Sequence, residues 1–411
     1  MATEGQTATG ERGAGLLRVR REGGQRVTYA ELFFDLVYAF AVTQLAHLLL
    51  AHLDARGAAR TLLLLLAVWW AWIYTAWITN WFDPDRRAVR LMLGGAILAS
   101  LVMSAAMPEA FGARGLAFAG AYVALQVGRS LFAVAALGGE PGLRRNFQRI
   151  LAWSAAAGAL WLAGGFARDT ARDALWLAAV VVDYVAPAVG FFTPGLGRSR
   201  TTDWTIAGGH LAERCQAFLI IALGESVLDT SAAFGEMEIT AARAAAFVVA
   251  FLGSVAFWWV YFDRSADAAG DAIDRSADPG RLGRSAYTYC HLPMVAGIIV
   301  AAVADDLTIA HPGGHAGAAQ IAATLGGPAL FLAGHALFKR AAFGRLSLPR
   351  LLALLALAAL VPAGLAAPPL ALGVAATLVV AAVAVADVRF GRHAIPAGAD
   401  EVDAERVAER V

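Results

Sequence analysis

Thr61-Leu62-Leu63-Leu64-Leu65-Leu66-Ala67-Val68-Trp69-Trp70-Ala71-Trp72-Ile73-Tyr74-Thr75-Ala76-Trp77-Ile78-Thr79 runs for nineteen residues without a charged side chain. As a helix it would rise roughly 28 Å, close to the ~30 Å hydrocarbon thickness of a bilayer. Similar apolar blocks lie on both sides of it, separated by short Arg-bearing stretches. The whole chain of 411 residues is 59% hydrophobic and only 16% charged, whereas soluble domains run about 45–50% apolar and about 25% charged. This pattern excludes a soluble enzyme, a disordered chain, a disulfide scaffold and a nucleic-acid binder. It predicts an all-α polytopic membrane protein whose partner is the lipid bilayer.

Twelve spans are expected, at 32–52, 61–79, 89–107, 116–137, 149–166, 174–193, 212–231, 243–262, 286–305, 317–337, 350–366 and 369–388. With the N-terminus placed in the cytoplasm, 25 Arg and Lys fall on cytoplasmic segments or the adjoining span ends and 6 on the opposite side. Arg129 and Arg214 lie within spans. That bias is what the positive-inside rule demands, so both termini are expected in the cytoplasm and the location is the cytoplasmic membrane. Residues 1–27 are polar and lack the apolar core of a signal peptide. Cys215 and Cys290 both fall in apolar blocks and do not form a disulfide framework.

Weak echoes between the halves point to an internal repeat. Ala30-Glu31 opens the first span and Ala212-Glu213 the seventh, 182 residues on; Trp69-Trp70 is echoed by Trp258-Trp259. Gly128-Arg129-Ser130-Leu131-Phe132 is echoed by Gly334-His335-Ala336-Leu337-Phe338, and Arg149-Ile150-Leu151-Ala152 by Arg350-Leu351-Leu352-Ala353. The expected organisation is a tail over 1–27, a six-helix unit over 28–193 and a linker over 194–211. A second unit over 212–388 and a tail over 389–411 complete it. Six is even, so the two units would enter from the same side as parallel repeats. An oligomer is left open.

Ionisable residues inside the membrane carry most of the functional information, because each is costly there and marks a path or an internal pair. Glu31 and Asp35 are four residues apart on one helix face, and Tyr38 extends that face. They form a candidate cation or proton site at the cytoplasmic mouth, or else acids complementing a helix N-terminus and tethered by Arg20, Arg21 and Arg26. Gln44 and His47 lie on another side and read as packing or interfacial groups. His210, Glu213 and Arg214 are spaced to cluster within one helix. Glu225, followed by Ser226, lies about 18 Å further along among apolar neighbours, as an ion contact or an interhelical hydrogen bond. Asp183 precedes Pro187 by one turn, where a kink and a polar lining coincide. Arg129 supplies a counter-charge for one of these acids, and His335 is its titratable counterpart in the second half.

Trp69, Trp70, Trp72, Trp77 and Trp81 read as bundle packing that ends in an interfacial belt. His311 and His315 lack the further ligands that a metal needs. No nucleotide, haem, metalloprotease or hydrolase motif is present, so no metal or cofactor is expected and no catalytic residue is assigned.

The residues themselves resemble a known family. Glu31-Leu32-Phe33-Phe34-Asp35-Leu36-Val37, followed by Phe40-Ala41-Val42-Thr43-Gln44-Leu45, is similar to the signature of the bacterial low temperature requirement A family. His210-Leu211-Ala212-Glu213-Arg214, Ile220-Ile221-Ala222-Leu223-Gly224-Glu225-Ser226 and Thr79-Asn80-Trp81-Phe82-Asp83 extend the likeness. It implies a multi-pass cytoplasmic-membrane protein linked by name to growth in the cold, with no established reaction. The first helix also resembles the opening helix of the lysosomal and bacterial potassium channels with a Phe-Ser-Asp motif. Glu31, Phe33, Asp35, Val37, Ala39, Ala41, Thr43 and Leu45 fall on matching positions. Phe34 replaces the serine, and Cys215 and Ala217 stand where the second unit would carry Phe and Asp, so potassium selectivity does not carry over.

The function expected is permeation of an ion or small solute, by channel or proton-coupled carrier, between the two halves. Asp35, Glu213, Arg214 and Glu225 would line or gate the path. The alternatives are a membrane sensor or structural protein for cold or envelope stress, and a lipid-modifying membrane enzyme.

Overall fold

The computed structural model describes residues 15–18, 26–204, 206–263, 270, 272–273 and 275–390. The expected tails lie mostly outside these. Among the described residues twelve principal helices follow one another: α1 (Tyr29–Ala51), α2 (Ala55–Trp81), α3 (Arg87–Ala106), α4 (Gly115–Ala136), α5 (Pro141–Phe166), α6 (Asp169–Val185), α7 (Gly208–Gly235), α8 (Ala241–Phe262), α9 (His291–Ala310), α10 (Ala318–Phe343), α11 (Leu348–Ala359) and α12 (Pro369–Phe390). A short turn, Pro279–Leu282, and a π-helical segment, Gly283–Tyr289, lead into α9. No strand occurs among the described residues, only isolated bridges such as Leu17 with Phe82.

Among the described residues nine helical stretches are long and apolar enough to cross a membrane: α1, α2, α3 with its 3-10 extension, α4, α7, α8, the 279–310 stretch, α10 and α12. This is a polytopic membrane fold. The other three are α5, with Arg144, Arg145 and Arg149 in its first half, the 17-residue α6, and α11, which is interrupted before Pro362. One expectation fails locally. The sixth span was to run through a proline kink to residue 193, yet α6 ends at Val185 and the chain turns. Pro187 has no N–H to continue the ladder, and Gly190 and Phe191 take positive φ values of 63 and 50.

Local chemistry sets the helix starts. Thr28 caps α1 in a capping box: Glu31 Oε2 accepts from Thr28 N at 2.9 Å while Thr28 Oγ1 accepts from Glu31 N at 3.4 Å. The same Glu31 then faces inward. Asp54 caps α2 through Gly57 N at 2.7 Å.

Two packing features position the site. First, α2 is the central helix, touching α1, α4, α6, α7 and α9. Its tryptophans pack into the bundle as expected: Trp69, Trp70 and Trp72 are at most 2% exposed, and Trp77 is partly buried. Their sequence counterparts on α8, Trp258 and Trp259, are 47% and 45% exposed. Second, α1 and α7 lie side by side in parallel. Glu31 meets His210, Thr43 meets Glu225 and His47 meets Asp229, at steady separations of 179, 182 and 182 residues. Elsewhere α9 and α10 pack backbone to backbone, since a Cβ on Gly297 would stand 2.5 Å from Phe331 N. Small residues permit such approach between membrane helices.

Candidate functional site

The inner part of the α1–α7 contact holds a buried charge network. Glu31 and Asp35 on α1, and His210 and Arg214 on α7, are each 0% exposed. Spacings of four residues bring both members of each pair onto one face. Arg214 grips Asp35 as a fork, Nε to Oδ2 at 2.8 Å and Nη2 to Oδ1 at 2.6 Å, the geometry in which arginine binds a carboxylate most firmly. Its Nη1 donates to Glu31 Oε1 at 3.1 Å and to Thr79 Oγ1 of α2 at 2.9 Å. Trp72 Nε1 donates to Asp35 Oδ1 at 2.6 Å.

Glu31 has further partners. His210 Nε2 lies 2.8 Å from Oε1, and Arg18 Nη2 lies 2.7 Å from Oε2. Asn80 Nδ2 approaches His210 Nδ1 at 3.2 Å, so Nδ1 accepts and Nε2 is left to donate to Glu31. Arg18 reaches the network because Leu16 and Arg18 pair with the end of α2, through Arg18 N to Trp81 O at 2.8 Å and Asp83 N to Leu16 O at 2.9 Å. Two carboxylates thus face two guanidiniums and a neutral imidazole, and the charges balance. Removing ions from water costs several kcal/mol each, which is recovered only when pairing is complete. Every carboxylate oxygen here has a donor. The network is a lock between α1, α2, α7 and the short N-terminal segment around Arg18.

Toward the far end of the same helices the character changes. Thr43 Oγ1 hydrogen-bonds Glu225, and His47 Nε2 lies 3.0 Å from Asp229 Oδ1. Glu225 is half-buried and the His47 side chain 51% exposed. Asp229 Oδ2 and, on α9, Asp306 Oδ1 are buried without a hydrogen-bond partner. A small cavity of about 10 Å³ lies between α1, α7 and α9, lined by Thr43, Glu225, Ser226 and Asp229 with Ile298 and Ala302. Among the described residues no group of three metal-ligating side chains occurs.

The remaining sequence candidates go elsewhere. Glu213 leaves the expected intrahelical cluster: it is exposed and accepts from Val27 N at 3.2 Å, because His210 and Arg214 turn across to α1. Tyr38 is buried and its hydroxyl meets Ser100 of α3 at 3.0 Å. Asp183 accepts from Tyr122 at 2.8 Å and Trp161 at 3.3 Å, apart from the α1–α7 contact. Arg129 touches no carboxylate among the described residues; it donates to Ala71 O, Thr75 and Gln126, and Gln126 leads through Tyr122 to Asp183. His335 Nδ1 accepts from Arg350, which holds Asp387. Sequence reasoning missed Arg18, Trp72, Thr79, Asn80, Asp229 and Asp306. The 182-residue offset, applied to His47, would have found Asp229.

A protein-family model, that of the bacterial low temperature requirement A protein (LtrA), matches residues 26–385. That range contains both ends of the α1–α7 contact. A curated relative from Rhizobium meliloti (strain 1021), titled uncharacterized protein RA0937, is 40% identical over 329 residues, covering 79% of this chain and 80% of the relative. No solved structure matches. A polytopic helical fold, the signature along α1 with its partner residues on α7, and a match across most of the chain agree: this protein belongs to the bacterial low temperature requirement A family.

Proposed function

We propose that the chain provides a permeation path for an ion or small solute across the cytoplasmic membrane, between its two halves along the α1–α7 contact. The observation that carries this reading is the change of character along one parallel helix pair. Charged groups are paired and fully buried at one end, and only partly covered, with unpartnered carboxylate oxygens, at the other. Ionisable side chains at membrane depth mark ion or proton routes. In this reading Glu225 takes a cation or proton from the outer cavity, and separation of Arg214 from Asp35 and Glu31 opens the cytoplasmic end. The steady offset between α1 and α7 supports a duplicated six-helix unit in which these are the corresponding first helices, both entering from the cytoplasm.

The test is flux of K⁺, Na⁺ and H⁺ in proteoliposomes, comparing wild type with Glu225→Gln. Flux in wild type, lost in a variant that remains folded, supports the path. The charge balance of the inner network favours a second reading, a structural or sensory membrane protein in which the network only clamps helices. No flux of any of the three ions from folded, oriented protein would select it.

A further inference from the structure

The opposite side of α2 borders a larger concavity that the charge network does not use. It is a partly open cleft of about 70 Å³ between α2, α4, the start of α5, the 186–204 connection and the π-helical segment. Its walls are aromatic. Trp204 of the connection lies 5.4 Å from Trp81 and perpendicular to Trp77 at 6.4 Å, ring to ring. Trp70 lines the cleft about 16 Å deeper along α2, at ~1.5 Å per residue from Trp81.

The charge in this cleft has one sign. Arg129, Arg200 and Arg284 line it, and no aspartate or glutamate does among the described residues. Arg129 is 4% exposed, sits 5.4 Å over the Tyr74 ring, and has only neutral acceptors among the described residues. A guanidinium in a low-dielectric interior without a contacting anion leaves a strong positive potential. Arg284 donates to Pro187 O at 2.8 Å. The acids nearest the rim are engaged: Asp203 accepts from Arg200 N at 2.8 Å, and Asp278 from Thr201 Oγ1 at 2.6 Å.

Three further observations mark the wall as a built site. Ser199 is 8% exposed, lines the cleft, and its Oγ has no hydrogen-bond partner. A buried hydroxyl of that kind is costly unless something meets it. Phe191, also in the wall, is held at φ 50, a conformation that bulky residues adopt only where the surroundings impose it, commonly at functional sites. The π-helical turn that presents Arg284 and Thr288 is a feature with the same bias.

We infer that this cleft binds an organic anion, a carboxylate or phosphate carried on an apolar or aromatic body. The body packs among Trp77, Trp81 and Trp204 while arginine N–H groups and the Ser199 hydroxyl take the anionic head. A soluble organic acid and a bilayer phospholipid share this chemistry. The inference is independent of the permeation reading, because α2 separates the cleft from the α1–α7 contact and each can fail without the other.

The experiment is tryptophan-fluorescence quenching of the full-length protein, purified in a non-ionic detergent, by 4-bromobenzoate. Its opposite-charge counterpart, 4-bromobenzylammonium, is the control. The anion should quench saturably and the cation should not. Arg284→Gln should weaken the anion about tenfold, the loss of one charge-assisted hydrogen bond, and the exposed Arg200→Gln roughly threefold. Arg129→Gln should abolish binding; if it fails to fold, the two rim variants still decide. Absence of saturation, equal quenching by the cation, or unchanged affinity in both rim variants overturns the proposal. Repeating the titration in phosphatidylcholine nanodiscs with and without phosphatidylglycerol separates the sources. Competition by the anionic lipid assigns the cleft to phospholipid, and undiminished quenching assigns it to a soluble anion.

Discussion

The two ends of the α1–α7 contact are built from the same pair of helices, in the same parallel register, with opposite outcomes. At the inner end Glu31, Asp35, His210 and Arg214 are all fully buried and each carboxylate oxygen is satisfied. At the outer end Glu225 and His47 are only partly covered, and Asp229 and Asp306 each keep an unpartnered oxygen. The difference comes from a third element. Near Glu31 and Asp35, α2 supplies Trp72, Thr79 and Asn80, and the N-terminal segment supplies Arg18. The outer end has α9 beside it, which brings apolar Ile298 and Ala302 and another carboxylate. A charged helix pair is therefore a lock or an open site according to what covers it.

The sharpest way to break this comparison is Arg214→Gln. It leaves buried Asp35 without its charged partner and takes one donor from Glu31, so stability should fall by about 3–5 kcal/mol, read as a lowered denaturation midpoint in detergent. If the loss matched that of Asp229→Asn, the inner end would not be a lock. Trp72→Phe keeps the ring and removes one hydrogen bond to a charged acceptor, and should cost about 1.5–3 kcal/mol in the same assay. Asp229→Asn should change the midpoint least, by less than ~1 kcal/mol, because its partner His47 is half exposed and such pairs contribute little.

Accessibility sharpens the contrast without a stability readout. In a background lacking Cys215 and Cys290, and on the proposed topology with both termini in the cytoplasm, Glu225→Cys should react with a membrane-impermeant thiol reagent applied from the periplasmic side. Thr79→Cys should stay unlabelled. Labelling of both at similar rates would mean that the inner network is open to water and that its sealed geometry is not the working state.

Much of this site was legible before any coordinates. The i, i+4 spacing placed Glu31 with Asp35 and His210 with Arg214, and helical geometry alone required each pair to share a face. It could not say that the two faces meet. An intrahelical His-Glu-Arg cluster was equally consistent with the spacing, and Glu213 turned out to face the other way. Arg18 was invisible for a different reason. It is one of five arginines in a polar N-terminal stretch, and only the pairing of Leu16 and Arg18 with the end of α2 selects it. The tryptophans show a third limit. Trp69-Trp70 and Trp258-Trp259 look alike in sequence, yet the first pair is buried and the second nearly half exposed, since a helix at the centre and one at the edge can carry the same apolar composition.

The sequence by itself determined the membrane class, the approximate helix positions and the residues too costly to leave unpaired in a bilayer. Those follow from segment length, apolar runs and charge placement, which are local properties of the chain. The tertiary structure decided which charges meet, because pairing depends on helix neighbours more than a hundred residues apart. It decided that α2 is central, that the inner acids are fully paired while the outer ones keep unpartnered oxygens, and that three arginines converge on an aromatic cleft without an acid among the described residues of its walls. The physical reason is that burial and partner choice are properties of contacts between helices, and a bilayer leaves most of those contacts undetermined by hydrophobicity alone.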